Sequence, residues 1–168
     1  MSGSPPPQEH RPEEFEAPAR PEPQQQGVPI QPAAVTPTVT YALLGITSVI
    51  FVAQLLSAQV FGFDVPQALG LKVNERIAQG EIWRLFTPMV LHGSIPHFLF
   101  NMYALYIFGR GLERYYGHMR YLALYIVAGF AGNVFSMIFT QAPSLGSSTA
   151  IFGLLGAQGV FLYQNRGL

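Results

Sequence analysis

Residues 121–165 read YLALYIVAGFAGNVFSMIFTQAPSLGSSTAIFGLLGAQGVFLYQN, forty-five consecutive positions without an aspartate, glutamate, lysine or arginine. As a single helix this stretch would be roughly 68 Å long, about twice the hydrocarbon thickness of a bilayer. It therefore has to turn. Gln141-Ala-Pro-Ser-Leu-Gly146 carries the turn chemistry, with Pro143 and Gly146 as helix breakers. Two apolar segments result, near 120–139 and 148–164. Working outward, Tyr41–Phe63 and Leu85–Gly109 are equally free of charge. Each holds one more segment of spanning character, near 41–61 and 95–109. The sequence predicts an all-α membrane protein, a polytopic helical bundle with four spans.

Composition points the same way. Only 11% of the 168 residues are charged, against about 25% in an average soluble domain, and 13% are aromatic. Nine basic and nine acidic side chains cancel, so no global field would draw in nucleic acid. Cysteine is absent, which excludes disulfide frameworks, thiolate metal sites and cysteine nucleophiles.

Residues 1–40 are a different material, with ten prolines, five glutamates and the run Gln24–Gln26. Such a segment cannot bury enough apolar surface to offset its ordering entropy. It is expected to be a disordered Pro/Gln-rich tail, with the transmembrane domain over 41–168. It lacks a basic stretch followed by an apolar core, so it does not read as a signal peptide. With four spans, Arg11, Arg20, Arg110, Arg114, Arg120 and Arg166 share one side, and Lys72, Arg76 and Arg84 lie opposite. The positive-inside rule then places the N-terminus in the cytoplasm. The loop over 62–92 mixes Trp83, Leu85 and Phe86 with scattered charges and the helix-compatible stretch Val73–Gln79. It is expected to fold against the membrane surface and dip partly into it.

Polar side chains inside a bilayer face other helices or a hydrated cavity. His97 and Asn101 are spaced i, i+4 and so stack on one helical face. Both can donate hydrogen bonds to a developing negative oxygen, and both can also simply join helices. His92 precedes Gly93 and Pro96 and is expected outside the regular helix; its offset of five from His97 suits a shared metal poorly. Gly146-Ser-Ser-Thr-Ala150 opens the last span. A serine at a helix N-terminus meets free N–H groups and a dipole that favour negative charge, as an attacking nucleophile would need. Ordinary N-capping is the plainer reading of that motif alone. Two crossings separate the starts of spans 2 and 4, so His97, Asn101 and Ser148 share a similar depth near one face. That set forms a plausible acyl-transfer site. Gly153-x-x-Gly156-x-x-Gly159 is expected to pack closely and to bring span 4 near span 2.

With these residues in place the chain resembles the rhomboid intramembrane serine proteases. The matching stretches are Glu81-Ile-Trp-Arg84, His92-Gly-Ser-Ile-Pro-His97-Phe-Leu-Phe-Asn101, Phe108-Gly-Arg-Gly-Leu-Glu113 with Gly117, and Gly146-Ser-Ser-Thr-Ala-Ile-Phe-Gly153. They run in family order over residues 40–168. The resemblance implies that Ser148 is the nucleophile and that His97 and Asn101 help stabilise the oxyanion. It makes the Trp83-Arg84 loop the membrane-dipping element and gives Glu113 a structural role at the opposite side. Thr149 stands where many members have glycine. The family's general base is a histidine on a sixth span, whereas no histidine follows His118 here and no carboxylate follows Glu113. His118, in the loop at the opposite face, cannot serve Ser148.

The resemblance thus implies four of six spans, in a domain incomplete at its C-terminus. Its activity would be that of an intramembrane serine endopeptidase. It would cleave transmembrane proteins near the outer face of the plasma membrane by a Ser/His dyad, without metal or cofactor. The 168 residues alone are expected to be inactive. An alternative is a non-catalytic relative that binds transmembrane segments; the missing base argues for it, and the intact Ser148, His97 and Asn101 argue against it. Half of a transporter would lead to an intramembrane carboxylate or a second repeat, and neither is present.

Overall fold

The computed structural model describes residues 35–164 together with Gly3 and Arg166. The predicted tail lies outside the described residues, apart from Gly3 and positions 35–40. Helix α1 covers Thr38–Phe61, 24 residues, or about 36 Å. It begins three residues before the expected Tyr41 because its first N–H groups have a dedicated acceptor. The Glu113 carboxylate takes hydrogen bonds from Val39 N (2.8 Å), Thr40 N (2.7 Å) and Thr40 Oγ1 (2.6 Å). The helix ends at Gly62, whose φ of +77° allows its N–H to reach Ala58 O at 3.0 Å. Ile46, Val49, Val52, Leu56 and Val60 stand exposed along α1, an apolar face suited to lipid.

The 62–92 loop is folded. Helix α2 (Val65–Gly70) is capped by Asp64, whose Oδ1 accepts from Gln67 N at 2.8 Å. Helix α3 (Asn74–Ala78) falls within the predicted helical stretch, and two 3₁₀ turns follow over Ile82–Leu85 and Thr87–Val90. Buried Arg84 ties these pieces together. Its Nε donates to Glu81 Oε2 at 2.6 Å, Nη1 to Leu71 O at 2.8 Å and Nη2 to Ala68 O at 3.1 Å. Ile82, Trp83 and Phe86 remain exposed. Lys72 and Ser144 exchange both backbone hydrogen bonds, at 3.1 and 3.2 Å. That bridge anchors the loop to the turn before the last helix.

The second apolar segment departs from its expected end at Gly109. Helix α4 (Ile95–Ala104) passes through one π-helical turn (Leu105–Gly109) into helix α5 (Arg110–Tyr116), with right-handed helical backbone at both junctions. Arg110, Glu113 and Arg114, expected in a loop, are therefore helical. After the first turn of α4 no proline interrupts the run to Gly117 (φ +75°), and the hydrogen bonds to α1 make a buried Glu113 tolerable. His118, also expected in the loop, opens helix α6 (His118–Phe139). Helix α7 covers Ser148–Gln164. Among the described residues α1 and α6 each have the length and apolarity for crossing a membrane. The α4–α5 column and α7 complete the predicted all-helical membrane bundle, with Met102, Leu105, Leu112, Tyr121 and Leu154 in its core.

The glycines of α7 behave differently from expectation. Gly153 packs on Ala128 of α6, while among the described residues nothing lies within 4 Å of where a Cβ would sit on Gly156 or Gly159. The close partner of α7 is α6, not α4, because α6 supplies its own small residues at the crossing. A Cβ on Gly129 would strike the Met89 side chain, and one on Gly132 would lie 2.6 Å from Thr149 Cβ. Small residues on both helices let the backbones approach.

Candidate active site

The turn before α7 decides the geometry. Gly146 has φ +122°, a region that L side chains rarely occupy, and its N–H donates to Pro88 O at 2.8 Å. A Cβ there would lie 2.7 Å from His97 Cε1, 2.8 Å from His97 Nε2 and 3.7 Å from Ser148 Oγ. The imidazole of His97 and the hydroxyl of Ser148 thus flank one glycine. His97 sits in the first turn of α4, where its N–H is capped by Ser94 Oγ at 3.3 Å. Ser148 is the first residue of α7, so the unpaired N–H groups of that helix start surround it with partial positive charge.

Asn101, one turn after His97, is buried; its Nδ2 donates to His97 O at 2.8 Å. Half-buried Ser148 and Asn101 line one cavity of about 170 Å³, with Phe100, Ala104, Ile151 and Phe152 as its apolar walls. A larger apolar hollow of about 300 Å³ lies between α1 and the 62–92 loop and is lined by none of these residues. His97 and Ser148 meet at Gly146, and Asn101 shares the cavity with Ser148. His118 does not join them; its Nδ1 pairs with Glu113 at 2.6 Å near the start of α1. From His97 to Glu113 the helical column rises about 24 Å.

Three further residues pack beside this site, and of these only Gln54 went unread in the sequence. Ser147 is fully buried, and its hydroxyl donates to Asn101 Oδ1 at 3.2 Å and faces His92 Nε2 at 3.4 Å. His92 lies in the connection before α4, outside regular helix as expected. Gln54 of α1 holds its backbone, accepting from His92 N at 3.0 Å and donating to His92 O at 3.1 Å. The His92 ring meets His97 edge-on at 5.2 Å. Burial, reinforced by the neighbouring His97, lowers the His92 pKa to about 4, so its imidazole is neutral near pH 7. The one signal for Gln54 was a carboxamide placed well inside an apolar span. Among the described residues no group of three or more histidine or carboxylate side chains is placed to hold a metal ion.

Comparison with known proteins adds to this picture. The family model for the Rhomboid domain matches residues 79–168. The rhomboid protease GluP of Bacillus subtilis is 42% identical over 77% of this chain and 26% of its own length. The chloroplastic RHOMBOID-like protein 9 of Arabidopsis thaliana is 40% identical over 61% of this chain and 24% of its own. The mitochondrial RHOMBOID-like protein 6 of the same plant is 41% identical over 54% and 30%. The chain spans about a quarter of the length of the first two relatives.

Proposed function

Because the chain belongs to the rhomboid family, we propose that it carries the nucleophile and oxyanion donors of an intramembrane serine endopeptidase whose substrates are transmembrane proteins. The observation that carries this reading is that His97 and Ser148 flank Gly146 at the start of α7 while Asn101 lines the cavity beside Ser148. In the proposed reaction Ser148 Oγ attacks the scissile carbonyl carbon as its proton passes to a general base. The carbonyl oxygen becomes an oxyanion that accepts hydrogen bonds from the His97 ring and Asn101 Nδ2. Collapse releases the amine, which takes up the proton, and water then hydrolyses the acyl-serine ester.

Apart from His97, neither described histidine is placed to act as the general base for Ser148. His118 bonds Glu113 near the start of α1, and His92 is buried against Ser147. The apolar helices make the chain part of an integral membrane protein. Its N-terminus is cytoplasmic and the 62–92 loop lies on the outer side, near which cleavage occurs, with the plasma membrane as its location. Six basic residues against three support this orientation.

The test uses the protein expressed from its complete reading frame. A serine-directed fluorophosphonate should label Ser148, and cleavage of single-span substrates should vanish in Ser148→Ala while the melting temperature holds. His97→Ala and Asn101→Ala should each lose on the order of 2–4 kcal/mol of transition-state stabilisation. Undiminished cleavage by Ser148→Ala would overturn the nucleophile. Reporters fused within 62–92 and after Leu168 should report outside and cytoplasm respectively; the reverse would overturn the orientation.

A further inference from the structure

We propose that Ser147 is a positioning residue for Asn101: its hydroxyl, itself anchored by His92, holds the carboxamide so that Nδ2 presents a hydrogen to the Ser148 cavity. The inference rests on the reading of Ser148 as nucleophile and Asn101 as oxyanion donor.

Ser147 cannot be a nucleophile in this arrangement, since it has 0% exposure while its neighbour Ser148 lines the cavity. Full burial also denies its hydroxyl any water, so its partners must be protein groups. It has two. The single hydroxyl hydrogen goes to Asn101 Oδ1 at 3.2 Å, and the oxygen is left to accept from His92 Nε2 at 3.4 Å. A neutral imidazole carries one N–H. Only the tautomer with that hydrogen on Nε2 completes both bonds. It leaves Nδ1 as a bare acceptor, in keeping with a buried His92 Nδ1 that has no partner among the described residues. The other tautomer would strand a buried N–H and take the hydroxyl hydrogen away from Asn101.

The two ends of a carboxamide have nearly the same shape, so hydrogen bonds alone decide which way it points. Here they agree. Oδ1 accepts from Ser147, and Nδ2 spends one hydrogen on His97 O at 2.8 Å. A flip would set oxygen against the His97 carbonyl oxygen. Nδ2 keeps a second hydrogen, and Asn101 shares the cavity with Ser148. Donation into Oδ1 also polarises the amide and strengthens Nδ2 as a donor. The anchor of the series is rigid, because Gln54 binds both backbone polar groups of His92 and Phe98 packs edge-on to its ring at 5.5 Å.

The experiment is a double-mutant cycle on the protein from its complete reading frame, with a fluorogenic transmembrane peptide in proteoliposomes. Ser147→Ala should lower kcat about tenfold, the effect of one lost hydrogen bond, and leave KM unchanged. In an Asn101→Ala background the same change should alter kcat by less than about twofold. Ser147→Cys, with its weak S–H donor, should fall between wild type and Ser147→Ala, and it serves if the alanine variant misfolds. Wild-type kcat in Ser147→Ala, or losses that simply multiply with Asn101→Ala, would overturn this inference alone. Cleavage surviving in Ser148→Ala, or an unimpaired Asn101→Ala, would instead overturn the reading beneath it.

Discussion

Gly146 and His97 touch backbone to ring: the site of a Cβ on Gly146 lies 2.7 Å from His97 Cε1, and the glycine holds φ +122°. Both facts require glycine, one for space and one for backbone conformation. Gly146→Ala should cost about 1–3 kcal/mol of stability from the backbone alone. It should also depress cleavage further than the stability loss explains, because the displaced ring is a proposed oxyanion donor. Thermal melting in micelles beside a cleavage assay checks both effects. An alanine variant matching wild type in the two measurements would show that the turn is not held as described.

Lys72 is completely buried, and its ammonium donates to Ser136 Oγ at 3.0 Å, Ala142 O at 3.2 Å and Thr140 O at 3.5 Å. Lys72→Met keeps the apolar stem but leaves Ala142 O without that donor. The expected loss is on the order of 1–3 kcal/mol. Amide exchange should accelerate most within 140–146. Uniform acceleration across all helices would contradict a local role.

Glu113 joins the start of α1 to α5 through Val39, Thr40 and His118. Glu113→Ala strands the two α1 N–H groups in a buried place and should cost on the order of 3–5 kcal/mol. Glu113→Gln retains one acceptor oxygen and should lose less. Equal melting temperatures for all three proteins would rule out the cap.

Acid should loosen the 62–92 loop. The hydrogen bond from Arg84 holds the Glu81 carboxyl below the usual range; burial opposes this, and the charges of Arg84 and Arg76 add to it. With the folded pKa below the unfolded one, the contribution is complete above the unfolded pKa and is lost as pH falls through the folded one. Proteolysis within 62–92 should rise steeply below about pH 4. In Glu81→Gln it should already be faster at neutral pH and change less on acidification. A Glu81→Gln profile with the same acid dependence as wild type would remove Glu81 from the explanation.

Much of this protein follows from the sequence by itself. Whether a stretch partitions into a membrane as helix depends on the residues within that stretch, so the charge-free runs located the bundle and Pro143 with Gly146 located its last turn. Spacing along one helix was equally local, and it set His97 and Asn101 on a common face. The tertiary structure decided what depends on rotation about helix axes and on partners far away in the chain. Ser147 and Ser148 are neighbours of the same type, and only the packing of their turn against His92 and α4 buries one and leaves the other lining the cavity. Gln54 finds His92 across 38 residues, and Lys72 finds Ser136 across 64. The α4–α5 column runs past Gly109 because α1 supplies hydrogen bonds to Glu113. Among the described residues Gly156 and Gly159 stay uncovered because α6 meets α7 nearer its start. Such pairings are set by packing and by the need to satisfy buried polar groups, which no window of local sequence contains.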